Sequence, residues 1–188
     1  MHAAIRSMIQ IDVDELRKFS NLCHHRMVEK KTFLSKPGVI PNEIFFIVEG
    51  LVRVTIIDVK GVEHTIHFAL ENQFIADYSC FIQKTVGLYT LECLEDCEVI
   101  VLPRQAIEWG YQNLKEGDKL GRRIAEYYFI YQDERIQNLY SRTPYERYRE
   151  INRVFPKISE RAPQHMIASY LGITSIHLSR LKRDALKS

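Results

Sequence analysis

One stretch of the chain decides its C-terminal fold: Gln164-His-Met-Ile-Ala-Ser-Tyr-Leu-Gly-Ile-Thr-Ser-Ile-His-Leu-Ser-Arg-Leu-Lys-Arg183. Its residue spacing is that of a helix-turn-helix. Ala168 falls where two short helices cross and only a small side chain fits. Gly172 falls at the turn, where glycine adopts a positive φ at no steric cost. Thr174 is placed to cap the second helix. The alternative is an ordinary helical hairpin that packs as core.

Apolar residues at helical spacing supply the contacts between the two helices: Ile167, Leu171, Ile173, Leu178 and Leu181. The second helix then exposes one polar face. In a helix-turn-helix this second helix lies in the major groove of DNA. The predicted DNA contacts are Thr174, Ser175, Ile176, Ser179, Arg180, Lys182, Arg183 and Lys187.

The chemistry of these side chains predicts different roles. Arg180 can donate two hydrogen bonds to O6 and N7 of a guanine, and the branched end of Ile176 suits a thymine methyl group. For Ile176 the alternative is packing against a neighbouring helix. Ser175 and Ser179 suit either base edges or phosphates. The three cations near the helix end are expected to contact phosphates, with a merely solvated basic face as the alternative.

Charge is distributed unevenly along the chain, although the net charge is only +2. Residues 142–188 contain ten Lys/Arg and four Asp/Glu, a balance of +6, which leaves 16 and 20, a balance of −4, for residues 1–141. Positive charge therefore gathers around the helix-turn-helix, as phosphate binding requires.

The composition is that of an ordinary soluble globular protein, with 46% hydrophobic and 27% charged residues. No apolar run is long enough to span a bilayer. Charged residues within the first thirty positions exclude a secretory apolar region. We expect a cytoplasmic protein that does not contact a membrane.

The hydrophobic period changes to that of β-strands between about residues 31 and 103, after a segment from about 5 to 30 that is typical of a helix. We predict strands at 44–48, 51–57, 64–70, 89–93 and 98–102, with a hairpin turn at 58–61. Many short strands separated by Gly and Pro favour an antiparallel sandwich or barrel. The predicted fold class is α+β: an antiparallel β-roll of the jelly-roll type with flanking helices, a long helix and a C-terminal all-α helix-turn-helix domain.

Residues 105–141 are helical in pattern and apolar over more than the usual arc of a surface helix. We therefore predict that the helix packs on its own β domain on one side and on the same helix of a second subunit on the other, which makes a homodimer. The predicted dimerisation residues are Leu120, Ile124, Tyr127, Tyr128 and Tyr131. The alternative is a helix buried wholly within one monomer.

The segment Thr143-Pro-Tyr-Glu146 predicts the start of a new helix, because it has the pattern of a capping box with Pro at the first helical position. This hinge divides the chain into a sensor-like β domain at 1–115, a dimerisation helix at 116–141 and a DNA-binding domain at 142–188.

In this order the parts resemble the Crp/Fnr family of bacterial transcription regulators, in particular its short members from Bacteroidetes. The segment from Ile44 to Val54 is similar to the family's strand–Gly–strand segment, and the segment from Asn72 to Tyr78 is similar to the loop that carries its phosphate-binding cassette. The run from Ile167 to Arg183 is similar to its DNA-reading unit. The resemblance implies a cyclic-nucleotide-binding β-roll, a dimerisation helix and a sequence-specific transcription regulator. Its operator would be a near-palindrome with half-sites about 10 bp apart or a small multiple of that spacing.

Two departures from the family pattern alter these expectations. Members that bind cyclic nucleotide have Gly-Glu in the cassette and an Arg on the following segment, where this chain has Ala76-Asp77 and Gly87-Leu88. A buried phosphate without a positioned cation is poorly compensated, so we predict no response to cyclic nucleotide, although Asp77 can reach a hydroxyl and Lys84 can supply a point charge. The sequence also stops soon after the recognition helix, from which we expect no C-terminal wing and phosphate contacts from the helices alone.

We also expect a pocket for a different effector. This effector would be a small uncharged or cationic molecule of unknown identity. The candidate lining residues are Asp77, Tyr78, Ser79, Tyr89 and Glu92. Packing of the tyrosines between the roll and the long helix is one alternative, and a filled-in pocket in a regulator controlled by its own abundance is another.

An enzyme is the remaining functional class. Barrels related to the predicted roll include metal-dependent enzymes of the cupin type, but His64 and His67 lie three apart on a predicted strand and so point to opposite faces. The sequence contains no nucleophile elbow and no phosphate loop. We expect no catalytic residues, no metal and no cofactor.

Overall fold

The chain consists of two N-terminal helices, a β-roll and a C-terminal series of helices, and the structure, a computed structural model, describes residues 1–185. The helices are α1 (His2–Met8), α2 (Val13–Ser20), α3 (Tyr78–Gln83), α4 (Arg104–Asn113), α5 (Gly117–Ser141), α6 (Pro144–Val154), α7 (Ile158–Arg161), α8 (Gln164–Leu171) and α9 (Ser175–Ala185). The strands are β1 (His24–Val28), β2 (Phe33–Ser35), β3 (Glu43–Glu49), β4 (Val52–Ile57), β5 (Glu63–Ala69), β6 (Phe74–Ile75), β7 (Thr90–Cys93) and β8 (Cys97–Pro103).

The strands form two four-stranded antiparallel sheets, in the orders β1-β8-β3-β6 and β2-β7-β4-β5. Inward-facing side chains of both sheets meet in one core, in which Ile47, Val52 and Val99 are fully buried. Continuous apolar runs in β3 and β8 suit strands that are covered on both faces. This arrangement confirms the predicted α+β class with an antiparallel roll.

The N-terminal helix predicted over residues 5–30 is wrong in its extent. The chain leaves the helix after Met8 and starts α2 at a capping box, in which the Asp12 side chain accepts a hydrogen bond from the N–H of Glu15 at 2.7 Å. Residues 24–28 form β1, which pairs with β8. Only Val28 of this strand is buried, so its sequence carries little apolar alternation. Its strand conformation therefore depends on the antiparallel pairing with β8, which is a tertiary contact.

The helix predicted from 105 to 141 is divided into α4 and α5 around the extended Leu114. Gly117 is required at the start of α5, because a Cβ atom there would lie 2.2 Å from the carbonyl oxygen of Gly110. The helix start predicted at Thr143 is confirmed. The Thr143 hydroxyl accepts from the N–H of Glu146, and the Glu146 carboxylate accepts from the N–H of Thr143 at 2.8 Å.

The C-terminal helices pack against the β-roll. The N–H of Thr65 on β5 donates to Oγ of Ser169 on α8 at 2.8 Å. The guanidinium of Arg161 bridges two carboxylates of the roll, with its Nη2 2.7 Å from Glu71 and 2.6 Å from Glu95. The helix-turn-helix is therefore anchored to the sensor-like part through α8 and the end of α7.

Across residues 1–185, no helix combines the length and the apolar character that a membrane span requires.

Candidate functional site

The turn between α8 and α9 has the geometry that the sequence predicts. Gly172 ends α8 with φ 69°, in the left-handed region that favours glycine. Ala168 and Leu178 are buried between the two helices. Oγ1 of Thr174 accepts a hydrogen bond from the N–H of His177 at 3.2 Å and so caps α9. The start of α9 is therefore fixed relative to α8.

The outer face of α9 is free of the rest of the chain. Ser175, Ile176, Ser179 and Arg180 are all exposed, and the Ile176 side chain is 68% exposed. The alternative in which Ile176 packs against a neighbouring helix therefore does not hold within this chain. Arg180 has neither a hydrogen bond nor an ion pair with the described residues, so its guanidinium is available to a ligand.

The remaining predicted DNA contacts lie towards the end of α9. Lys182 is half-buried and Arg183 is exposed, with Nε of Arg183 3.9 Å from the Asp184 carboxylate. Lys187 lies outside the described residues. The last turn of α9 contains the cations Lys182 and Arg183, whose charge interacts favourably with the C-terminal end of the helix dipole.

A cavity of about 740 Å³ lies between the β-roll and α5, and residues of α1, α2 and α4 also line it. Of the residues predicted to line an effector pocket, Tyr78, Ser79 and Tyr89 line this cavity, whereas Asp77 and Glu92 do not. Burial raises the pKa of Tyr78 to about 12 and also raises the pKa of Tyr89. Both hydroxyls are therefore neutral hydrogen-bonding groups at physiological pH.

The Asp77 side chain forms hydrogen bonds with the backbone of its own chain. Its side chain is buried, and Oδ2 accepts from the N–H of Leu88 at 2.7 Å and from the N–H of Tyr89 at 3.1 Å. A Cβ atom on Gly87 would lie 2.9 Å from the carbonyl oxygen of Val39 and 3.3 Å from Oδ2 of Asp77. The position at which the family pattern has an arginine is therefore too tightly packed for a larger side chain in this conformation.

The other charged candidates near the cassette are also paired elsewhere. Lys84 is exposed and its Nζ lies 3.8 Å from Glu108, so it does not supply a point charge to the cavity. Glu92 lies 3.6 Å from the buried guanidinium of Arg53, which also binds Glu63 at 2.7 Å. Glu92 therefore belongs to an ion-pair cluster on the β4 sheet rather than to the cavity.

His67 is a site residue that the sequence pattern does not reveal, since its spacing from His64 bears only on a metal site. Its ring is buried, and Nδ1 lies 2.8 Å from the hydroxyl of Tyr131 on α5. That hydroxyl lies 3.2 Å from the hydroxyl of Tyr170 on α8. Burial, with a smaller contribution from the positive charge of Arg135, lowers the pKa of His67 to about 3, so the ring is neutral.

The inner face of α5 contains most of the residues predicted for dimerisation. Leu120, Ile124 and Tyr128 pack against the chain's own core, and Tyr131 packs with the C-terminal helices. Of the five, only Tyr127 is exposed, at 53%. Within one chain Leu120 is buried whereas Ile124, Tyr128 and Tyr131 are half-buried, and the dimer contact predicted for these residues stays a prediction.

Other apolar side chains of α5 are largely exposed, with Phe129 73%, Ile136 55% and Tyr140 90% exposed, and Phe129 and Ile136 also border the cavity. A helix with two apolar faces does not reveal from its sequence which one contacts the roll.

The histidines do not form a metal site in the described part of the chain. His64 is exposed and lies 2.9 Å from Asp58, and His67 bonds to Tyr131. Within residues 1–185 no group of three or more His, Cys, Asp or Glu side chains is arranged to hold a metal ion. The cupin-like alternative has no ligand set there.

A family model and a curated protein both match part of this chain. Residues 25–113 match the family model of the cyclic nucleotide-binding domain. The anaerobic regulatory protein of Bacillus subtilis is 24% identical over 101 residues, which cover 54% of this chain and 42% of that protein. The matched region thus spans less than half the length of this relative.

Solved structures with a similar fold cover most of the chain. A Crp/Fnr-family transcriptional regulator from Eubacterium rectale has a TM-score of 0.73 at 15% identity, covering 92% of this chain and 82% of its own. FixK2 from Bradyrhizobium japonicum has a TM-score of 0.72 at 15% identity, covering 88% and 85%. The c-di-GMP-responsive regulator CLP from Xanthomonas campestris has a TM-score of 0.69 at 14% identity, covering 94% and 92%. At these identities the likeness shows the fold.

Proposed function

We propose that this chain, which contains a domain of the cyclic nucleotide-binding family at residues 25–113 and has the fold of the Crp/Fnr transcription regulators, is a sequence-specific DNA-binding regulator. The observation that carries the proposal is the outer face of α9. Arg180 and the apolar Ile176 are both exposed there, while Leu178 between them is fully buried. An arginine beside a branched apolar side chain suits a guanine edge and a thymine methyl in the major groove.

The operator is proposed to be bound by two copies of the chain. The side of α5 that borders the cavity contains Ala125, Phe129, Gln132 and Ile136, at intervals of four, three and four residues. This spacing is typical of helices that pair in a coiled coil. A pair of chains joined along α5 presents two α9 helices to successive major grooves, which favours a near-palindromic site.

The effector is proposed not to be a cyclic nucleotide. The Asp77 carboxylate occupies the N–H groups of Leu88 and Tyr89, at the segment where the family pattern supplies its phosphate contacts. A ligand phosphate close to this buried carboxylate would meet like charge without a neighbouring arginine.

Selection of bound fragments from random DNA tests the proposal. We expect enrichment of a near-palindrome that contains a guanine in each half-site, with half-sites about 10 bp apart or a small multiple of this. The absence of any enriched sequence at low salt would contradict DNA recognition.

Dimerisation is tested with a pair of matched variants. Phe129→Glu places a charge on this side of α5 and is expected to convert the dimer to a monomer and to weaken binding to the full site. Val13→Glu places the same charge on α2, where Val13 is 68% exposed, and is expected to change neither. Sedimentation equilibrium and a binding assay with whole and half sites measure both effects. An unchanged dimer in Phe129→Glu would contradict pairing along this face.

A further inference from the structure

Helix α7 ends at an arginine that is bound by two carboxylates of the β-roll. The Arg161 guanidinium donates to Glu71 at 2.7 and 3.1 Å and to Glu95 at 2.6, 3.0 and 3.2 Å. Glu71 lies shortly after β5, and Glu95 lies in the turn between β7 and β8. Oε1 of Glu71 also accepts from the N–H of Gly50 at 3.1 Å, which fixes this acceptor on the roll. We call Arg161, Glu71 and Glu95 the Arg161 cluster.

The Arg161 cluster differs in kind from the apolar contacts around it. The core that the roll shares with the C-terminal helices contains Phe68 and Leu94 from the roll and Phe155 and Ile158 from the helical part. Hydrophobic burial is non-directional, whereas charge-assisted, bidentate hydrogen bonds specify an angle as well as a distance. The three side chains of the cluster are only partly buried, and ion pairs in contact with solvent add little to stability. The cluster therefore acts mainly on the orientation of the C-terminal helices.

The Arg161 cluster comes directly before the helix-turn-helix in the chain. Arg161 is the last residue of α7, and α8 begins at Gln164. Ser169 holds the middle of α8 to β5. Because α8 and α9 pack on each other through the buried Ala168 and Leu178, a tilt of α8 on the roll carries α9 with it.

The proposed operator makes this orientation important. Two copies of the chain that bind successive major grooves must hold their α9 helices about 34–36 Å apart. Helix α5, the proposed dimer contact, packs on the roll of its own chain, with Leu120 in the same core as Phe46 of β3. The roll therefore lies between the dimer contact and α9. One additional base pair moves a half-site by about 3.4 Å along the DNA and turns it by about 35°, so a small change in tilt alters the spacing that fits.

We propose that Arg161 is a positioning residue for DNA recognition. By binding Glu71 and Glu95 of the roll, it sets the distance and the angle between the two α9 helices of a dimer and so selects the half-site spacing of the operator. This inference rests on the proposed DNA-binding function. It makes the β-roll a part of the DNA-reading structure without any ligand.

Matched variants on both sides of the Arg161 cluster test the proposal. Arg161→Met removes the cation and keeps an unbranched apolar stem, and Glu71→Gln/Glu95→Gln neutralises both acceptors at nearly unchanged size. The control is Glu29→Gln/Glu49→Gln, which removes the same charge from exposed positions of the roll. Circular dichroism and urea denaturation establish that each variant is folded. Loss of negative charge favours binding to DNA, so weaker binding in Glu71→Gln/Glu95→Gln cannot result from the charge change itself.

Fluorescence anisotropy measures the affinity for the selected operator, for the same operator with one base pair inserted or removed at its centre, and for a single half-site. The unsubstituted protein and the control should prefer the selected spacing by about tenfold or more, which is the gain from engaging both half-sites at once. In both cluster variants this preference should fall to about twofold or less, whereas the affinity for the half-site should stay within about twofold, because the reading face of α9 is unchanged.

Several results would overturn the inference. One is an unchanged spacing preference in the cluster variants, and another is an equal loss of affinity for the half-site and the operator, which would assign Arg161 to stability alone. Tighter binding of the selected operator by the cluster variants would show that the position set by Arg161 opposes DNA binding. Half-site binding without any spacing preference in the unsubstituted protein would leave no spacing for Arg161 to select. Absence of binding to every site would instead overturn the proposed DNA-binding function itself.

Discussion

Helices α8 and α9 belong to one helix-turn-helix but lie in opposite environments. α8 buries Ile167, Ala168, Tyr170 and Leu171 and contacts β5 through Ser169. Between Ser175 and Asp184, α9 buries only Leu178. Anchoring and the proposed DNA recognition thus fall to different helices. Substitutions around α8 should change stability, whereas substitutions on the outer face of α9 should change DNA affinity.

The largest effect is expected at Phe155, which follows α6 and is fully buried. The centre of its ring lies 5.1 Å from that of Tyr170 on α8 and 5.6 Å from that of Phe68 on β5. Phe155→Ala removes both aromatic contacts and leaves a cavity, so we expect the free energy of unfolding to fall by about 3–5 kcal/mol. Urea denaturation followed by circular dichroism measures this loss.

The matched control for Phe155→Ala is a truncation on α9. Ile176→Ala removes a large apolar side chain that is already exposed, so the free energy of unfolding should change by no more than about 0.5 kcal/mol. Similar losses in the free energy of unfolding for the two variants would contradict the difference proposed between α8 and α9.

This division could be predicted from the sequence only in part. The helix-turn-helix is specified locally, by Gly172 at the turn and by apolar residues at helical spacing, so both its helices and the exposure of Arg180 follow from the residues themselves. The strands β3 and β8 are similarly evident from continuous apolar runs.

The rest depends on tertiary contacts that leave no local signal. β1 is mostly exposed and is ordered by its ladder to β8. α5 is apolar on two faces, so its period could not show that Leu120 and Tyr128 face the chain's own core. Asp77 matched the family's cassette, but only the packing of Gly87 against it shows that its carboxylate binds backbone N–H groups.

The next effect in size concerns DNA affinity. Arg180→Ala should weaken binding to the selected site by about 1–3 kcal/mol and relax the base preference at one position, because a bidentate contact to guanine is lost. The free energy of unfolding should change by no more than about 0.5 kcal/mol, since the side chain is exposed. Fluorescence anisotropy with the selected site and with random DNA separates these effects, and equal losses on both would contradict a base contact.

Lys182→Ala is the matched variant on the same helix. A phosphate contact carries no sequence information, so this variant should weaken binding to all sequences alike and reduce the slope of log affinity against log salt by about 1. An unchanged slope would indicate that Lys182 does not contact phosphate.

The smallest expected effect is a pH dependence of the free energy of unfolding. It comes from His67, whose ring is connected to Tyr170 on α8 through the Tyr131 hydroxyl. Burial holds the pKa of His67 at about 3, against about 6.5 in an unfolded chain. Below pH 6.5 the unfolded state therefore binds a proton that the folded state does not, and stability falls as the pH falls. The slope approaches, as an upper bound, about 1.4 kcal/mol per pH unit. Urea denaturation at pH 7.5, 6.0 and 5.0 measures it.

Two variants on β5 show whether this slope belongs to His67. His67→Gln keeps a polar side chain beside Tyr131 but does not titrate, so the slope between pH 6.5 and 5.0 should become shallower. His64→Gln changes an exposed histidine of the same strand and should retain the slope.

The pKa of Glu71 on the roll is lowered because its bonds to Arg161 outweigh the effect of burial. Its contribution is lost only at more acidic pH, as the pH falls below the ordinary glutamate range, so it does not obscure this window. An unaltered slope in His67→Gln would mean that the buried neutral ring of His67 does not cause the pH dependence of the free energy of unfolding.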